Sequence, residues 1–167
     1  MEKKIVAQKI TPNLWFDKNA EQAVKFYTSV FKNSKIGRTS YYGSEGREVH
    51  GMPEGTVLTQ EFELDGQSFL ALNGGPHFKF NEAVSFIVYC DTQEEIDYYW
   101  EKLSEGGDEK AKICGWLKDQ FGLSWQVVPR ILADLLGGDA QTSGKVMAAV
   151  MQMKKLDIKT LQEAAGK

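Results

Sequence analysis

Residues 114–129 read CGWLKDQFGLSWQVVP, and the organisation of the whole chain can be worked outward from them. Lys110–Trp116 and Leu123–Val128 are apolar-rich runs of strand type. The polar turn Lys118-Asp119-Gln120-Phe121-Gly122 joins them, and Pro129 closes the second. Upstream, Glu105-Gly106-Gly107-Asp108 breaks a helical pattern over Glu94–Leu103, in which Ile96, Tyr99, Trp100 and Leu103 fall on one stripe. Asp91-Thr92 can cap that helix, and Ala83–Tyr89 precedes it as a strand.

The same order occurs earlier in the chain. Lys9–Phe16 reads as a strand that Pro12 makes irregular or places at an edge. Asp17-Lys18-Asn19 is a cap, and Ala20, Ala23, Val24, Tyr27 and Phe31 mark a helix over 20–31. Ser34–Tyr42 is a strand, and Gly43–Gly55 reads as a long mobile loop. Thr56–Leu64 alternates, with Leu58, Gln60, Phe62 and Leu64 on one face and Thr59, Glu61 and Glu63 on the other. Asp65-Gly66 is a two-residue hairpin turn into Gln67–Leu72. A shift of 74 residues lays Thr11 on Ser85, Trp15 on Tyr89 and Asp17 on Asp91, an internal repeat of pattern more than of identity. The tail from Arg130 onward differs. It holds short helices, with Asp139 and Asp157 as caps and a methionine stripe (Met147, Met151, Met153) suited to core or to a subunit contact.

Composition narrows the function classes. The 167 residues carry 42% apolar and 26% charged side chains and a net charge of −3, which suits one globular domain spanning 1–167. Its modules would cover about 5–75 and 82–129, with a helical tail over about 130–165. No clustered basic face suggests nucleic acid, and no apolar run approaches the roughly 18 residues of a membrane span. The N-terminus has no signal-peptide core, so the expected location is the cytoplasm. Cys90 and Cys114 form no CxxC pair, as expected in a reducing compartment. Cys90 reads as a small buried hydrophobe.

Familiar chemistries are excluded by spacing. Residues 138–146, GDAQTSGKV, place five residues between the glycines and end in Val146, so they are not a phosphate loop. No G-x-G-x-x-G follows a strand. Residues 122–125, GLSW, lack the second glycine of a nucleophile elbow. His50 and His77 stand alone in loops with no Cys/His cluster.

The repeat and the 114–129 run, preceded by 10–16 (ITPNLWF) and 20–27 (AEQAVKFY), resemble the PhnB-like branch of the glyoxalase/bleomycin-resistance (vicinal oxygen chelate) superfamily. Members of this branch are often labelled 3-demethylubiquinone-9 3-methyltransferase-like. The resemblance runs from Ile10 to about Leu161. It implies an α+β fold in which two βαβββ modules form a half-open, eight-stranded barrel around a cleft, commonly as a homodimer. In metal-dependent relatives, His, Gln or Glu from the first and last strand of each module chelate a divalent ion. The matching positions here are Thr11 or Pro12, Ser85, Asn73 and Gln126. These neutral oxygen donors do not match imidazole or carboxylate, so no metal is expected unless His50 or His77 folds inward. No glycine-rich loop follows the first strand, so the residues do not support a methyl donor, and no cofactor is expected.

The positions matched by the resemblance (Thr11, Asn73, Ser85 and Gln126), with the residues that strand alternation sets beside them (Asn13, Trp15, Thr59, Cys114 and Trp116), form the candidate ligand-binding set, an aromatic pocket with a few polar groups. Three functions fit such a cleft. One is a metal-independent protein that sequesters a small aromatic or amphipathic molecule. Another is an enzyme acting on a small carbonyl or quinone-like substrate, with Glu61 as general base and Cys114 assisting. The third is a metal enzyme that recruits His50 or His77.

Overall fold

The computed structural model describes residues 5–167, which divide into two compact units, 5–79 and 80–167. The first unit holds β1 (Asn13–Phe16), α1 (Ala20–Val30), β2 (Ser34–Tyr41), α2 (Arg47–His50), β3 (Val57–Leu64) and β4 (Gln67–Asn73). Its sheet runs β1-β4-β3-β2. β1 is parallel to β4, and the remaining pairs are antiparallel. The hairpin expected at Asp65-Gly66 is formed: Leu64 faces Gln67, and both turn residues have positive φ (46° and 82°). The alternation in β3 decides which face is covered. Phe62 packs between Tyr27 of α1 and Phe69 of β4 in a stacked row, with centroid separations of 6.2 and 5.1 Å. Tyr27 and Phe62 are fully buried, each contributing about 1.5–3 kcal/mol.

The second unit repeats the plan with one strand fewer. β5 (Ser85–Cys90) leads to α3 (Gln93–Ser104), then β6 (Trp116–Lys118) and β7 (Ser124–Pro129), in the order β5-β7-β6. β5 lies parallel to β7, just as β1 lies parallel to β4. The repeat is thus a repeat of topology: in each unit the first strand feeds a helix and pairs with the last strand. Thr92 caps α3 by accepting a hydrogen bond from Glu95 N, and the buried Ile96 and Leu103 hold the helix to its sheet.

Several expectations need correction. The strand expected over 9–16 begins only at Asn13, because Pro12 has no N–H for the ladder; its carbonyl accepts from Leu70 N instead. The loop over 43–55 contains a helical turn, α2, bounded by Gly46 and Gly51 at φ 74° and 67°. The strand expected over 110–116 is absent up to Trp116. Asp108 accepts from Lys110 N at 2.9 Å and starts a 3-10 turn over Glu109–Ala111. Cys114 and Gly115 then adopt positive φ (52° and 82°), a conformation that cannot continue a strand. The sheets total four and three strands among the described residues, in place of the eight expected, and neither closes on itself.

The tail folds as α4 (Leu132–Leu136), α5 (Ala140–Met151) and α6 (Ile158–Ala164). Asp139 and Asp157 cap the last two as their positions suggest, accepting from Thr142 N and Thr160 N. Leu135, Val146, Val150, Leu156 and Leu161 make their own small core, against which Cys114 and Met153 pack. Of the methionine stripe, Met147 and Met151 are exposed. No helix among the described residues is long and apolar enough to cross a membrane.

Candidate functional site

In the first unit, most of the candidate residues are held by structural contacts. Asn73 is buried at the end of β4. Its Oδ1 accepts from Ala20 N at 2.9 Å and so satisfies an N–H at the start of α1. Its Nδ2 donates to Glu21 Oε2 and to the Val57 carbonyl. Thr11 precedes β1 and donates to the Gln8 carbonyl. Asn13 is exposed on β1. Trp15 Nε1 donates to the Gly75 carbonyl at 2.9 Å, and its ring meets Phe78 edge to face at 4.9 Å. The ring lies so close over Gly74 that a Cβ there would stand 2.2 Å from Trp15 Cζ2. Thr59 Oγ1 shares a 2.5 Å hydrogen bond with Ser40 Oγ.

Glu61 does lie on the sheet face opposite α1, but Arg38 grips it. Arg38 Nη2 reaches Oε1 at 2.6 Å and Nε reaches Oε2 at 3.1 Å. This forked contact, opposed by some desolvation, holds the carboxyl below its ordinary value. A carboxylate so stabilised in its charged form is a weaker base. Ile5 also packs beside it: a Cβ on Gly37 would meet Ile5 Cδ1 at 2.7 Å and Glu61 Cβ at 3.0 Å.

His50 is engaged within its own loop. His50 Nδ1 accepts from Met52 N and Nε2 contacts the Glu45 carbonyl, so both ring nitrogens serve the α2 loop. No group of three or more His, Cys, Asp or Glu side chains capable of holding a metal occurs among the described residues. The matched positions offer amides and hydroxyls whose partners are already protein atoms, so this donor set does not fit a divalent transition metal.

The second unit offers a cavity. A pocket of about 440 Å³ opens beside β6, within the usual size of a small-molecule site. Ala111, Ile113, Trp116 and Leu117 form its apolar wall. Cys114, Lys118, Ser124 and Glu82 add polar groups. The elements dictate this grouping. Trp116 and Lys118 are two apart on β6 and share a face. Ser124 is the register partner of Lys118, and Gln126 that of Trp116. Gln126 Nε2 donates to Ser85 Oγ at 3.0 Å, so the first-strand and last-strand positions of this unit do meet, as a neutral pair on β5 and β7. Lys118 is ion-paired with Glu82, and this contact lowers the Glu82 pKa.

What shapes the wall is the tail. Cys114 N donates to the Met153 carbonyl and Gly115 N to the Lys154 carbonyl, both at 2.8 Å. Gly115 also lies against Leu156, where a Cβ would meet Leu156 Cδ1 at 3.0 Å. On the other side of β6, Asp119 is buried and holds the turn into β7. Its Oδ1 accepts from Phe121 N (2.8 Å) and Leu123 N (3.1 Å), and its Oδ2 from Trp125 Nε1 (2.8 Å). That network is the physical content of the D-x-F-G-L-S-W run.

Of the sequence-derived set, Cys114 and Trp116 line the pocket, and Ser85 and Gln126 meet beside it on the sheet. Thr11, Asn13, Trp15, Thr59, Asn73 and Glu61 belong to the first unit. Ser124 was legible from its spacing to Gln126; Lys118, expected in the joining turn, instead ends β6, and its spacing of two from Trp116 was the signal that could have found it. Ala111, in the 3-10 turn, and Ile113 and Glu82, outside the helices and strands, carried no such signal.

Comparison with known proteins accords with this architecture. A family model described as 3-demethylubiquinone-9 3-methyltransferase matches residues 8–128. The PhnB protein from Bacillus cereus is 39% identical, with a TM-score of 0.61 over 73% of this chain and 99% of that one. A protein from Pseudomonas aeruginosa is 18% identical and shares the fold, with a TM-score of 0.56 over 74% and 98% of the two chains. The fosfomycin resistance protein FosX from Listeria monocytogenes aligns more loosely, at 13% identity and a TM-score of 0.46 over 83% and 99%. A search of curated proteins found no match. With the family model spanning every strand of both sheets up to Val128, the chain belongs to the 3-demethylubiquinone-9 3-methyltransferase-like (PhnB) family.

Proposed function

We propose that the protein binds a small aromatic or amphipathic molecule in the pocket beside β6 and does so without a metal. The observation that carries this reading is the pocket itself: about 440 Å³, walled by Trp116, Ile113, Leu117 and Ala111, with Cys114, Lys118, Ser124 and Glu82 adding polar groups. Base catalysis at Glu61 is the weaker reading, because Arg38 stabilises the charged carboxylate and Ile5 packs beside it. Methyl transfer finds no support in the residues, since β1 runs directly into Asp17-Lys18-Asn19 and α1 with no glycine-rich loop.

The homodimer implied by the resemblance and the cytoplasmic location expected from the N-terminus belong to the same proposal. Exposed Ile87 and Tyr89 on β5 and Met147 and Met151 on α5 are apolar surface that a second copy could cover.

The test is a titration with 1-naphthalenemethanol, a neutral aromatic probe, followed by calorimetry. Wild type binds it, and Trp116→Ala weakens binding about tenfold, equivalent to about 1.4 kcal/mol. Absence of wild-type binding both of this probe and of its carboxylate analogue 1-naphthoate, or binding unchanged in Trp116→Ala, overturns the proposal.

A further inference from the structure

The pocket wall holds a single cation, and its partner is replaceable. Lys118 projects from β6 on the same face as Trp116, and among the residues lining the pocket it alone is positively charged. Its ammonium is paired with Glu82, which lies outside any helix or strand between the two units' sheets in sequence. The two side chains differ in exposure: 22% for Lys118 and 64% for Glu82. The cation is therefore fixed in the wall by its strand, while the anion reaches it from solvent. An ion pair with one partner so exposed is weak, because water competes for the carboxylate and salt screens it. A second cation nearby, Lys112, is already paired with Glu109 in the 3-10 turn.

We propose that the pocket selects aromatic or alicyclic carboxylates, with Lys118 receiving the ligand carboxylate in place of Glu82. This rests on the small-molecule reading above and specifies the ligand class. The apolar body would lie along Trp116 and Ile113, where its burial supplies most of the affinity. The carboxylate would supply selectivity. A ligand bringing its own anion restores the charge partner that Lys118 loses when Glu82 is displaced. A neutral ligand of the same shape either leaves the pair intact at the rim or breaks it without replacement. Glu82 acts in this arrangement as a built-in competitor that keeps the site from accepting small inorganic anions with no apolar body.

The experiment compares two probes of matched shape, 1-naphthoate and 1-naphthalenemethanol, by calorimetry at low and moderate salt. Wild type should bind the carboxylate at least fivefold more tightly, with the preference shrinking as salt rises. Lys118→Met, which keeps the apolar stem, should abolish the preference and retain the alcohol. Glu82→Gln removes the competitor and should tighten naphthoate severalfold without changing the alcohol. Equal affinity of wild type for the two probes, a preference that survives Lys118→Met, or an unchanged naphthoate affinity in Glu82→Gln overturns the selectivity while leaving the pocket as a binding site. Failure of both probes to bind wild type overturns the selectivity together with the reading it rests on.

Discussion

Replacing Asp119 with alanine removes the acceptor for three donors at once, and their burial sets the size of the effect. Leu123 N and Trp125 Nε1 make buried hydrogen bonds to the carboxylate, whereas Phe121 N is partly accessible. Water can serve Phe121 in the variant but not the other two. Each buried donor left without a partner costs about 1–3 kcal/mol. The expected loss is therefore about 2–6 kcal/mol, a large share of the stability of a domain this size. At a urea m-value of about 2 kcal/mol/M, the midpoint should fall by about 1–3 M. Asp119→Asn separates the components. One amide oxygen can still accept from Phe121 and Leu123, but the NH₂ then faces the indole N–H, donor against donor. Only the Trp125 bond is lost, and the cost should be about 1–3 kcal/mol. Urea unfolding read by tryptophan fluorescence gives both numbers. Native-state hydrogen exchange at the Leu123 amide localises the change to this turn. A loss below about 1 kcal/mol in Asp119→Ala, or equal losses in the two variants, would refute the assignment of Asp119 as the anchor of the β6–β7 hairpin.

Two further outcomes follow from the charge and thiol environments. Arg38 holds the folded-state pKa of Glu61 below its ordinary 4.5, so the pair's contribution is complete above that pH and disappears as pH falls through the folded value. The stability gap between wild type and Arg38→Met should accordingly be full at pH 7 and narrow by pH 3; a gap independent of pH in urea midpoints contradicts the pairing. Burial, reinforced by the charges of Glu95 and Asp91, pushes the Cys90 thiol up to about 12, so it stays protonated and unreactive at neutral pH. A disulfide exchange reagent at pH 8 should label Cys114 alone in the native protein and both thiols in denaturant, which Cys90→Ser and Cys114→Ser distinguish by thiol count; rapid native labelling of Cys90 shows that it is not buried in solution.

How far the sequence could be read depended on the range of the interactions. Elements with local causes were legible. The α1 and α3 stripes, the Asp65-Gly66 hairpin and the aspartate caps of the tail all follow from residues a few positions apart. The strand expected over 110–116 failed because its backbone partners lie in the tail. Met153 and Lys154 take the Cys114 and Gly115 amides, and Leu156 fills the space that only Gly115 leaves. No periodicity within 110–116 records that contact. The candidate site shows the same division. Alternation placed Glu61 on a sheet face and the resemblance placed Asn73 at a strand end, but neither names a partner. Asn73 turned out to serve the first turn of α1, and Glu61 to serve Arg38, each through contacts distant in sequence. Trp116 kept its place because its surroundings are set within one hairpin. Lys118 two residues on and Ser124 opposite it are fixed by the β6–β7 register. That register depends in turn on the Asp119 turn, whose hydrogen bonds span only six residues. The part of the pocket that is locally encoded is thus the part that aims Lys118 and Trp116 in the same direction. The pairing of one cation with one aromatic wall, which underlies the carboxylate selectivity, is for that reason more robust to change in the tail than the shape of the rest of the cavity.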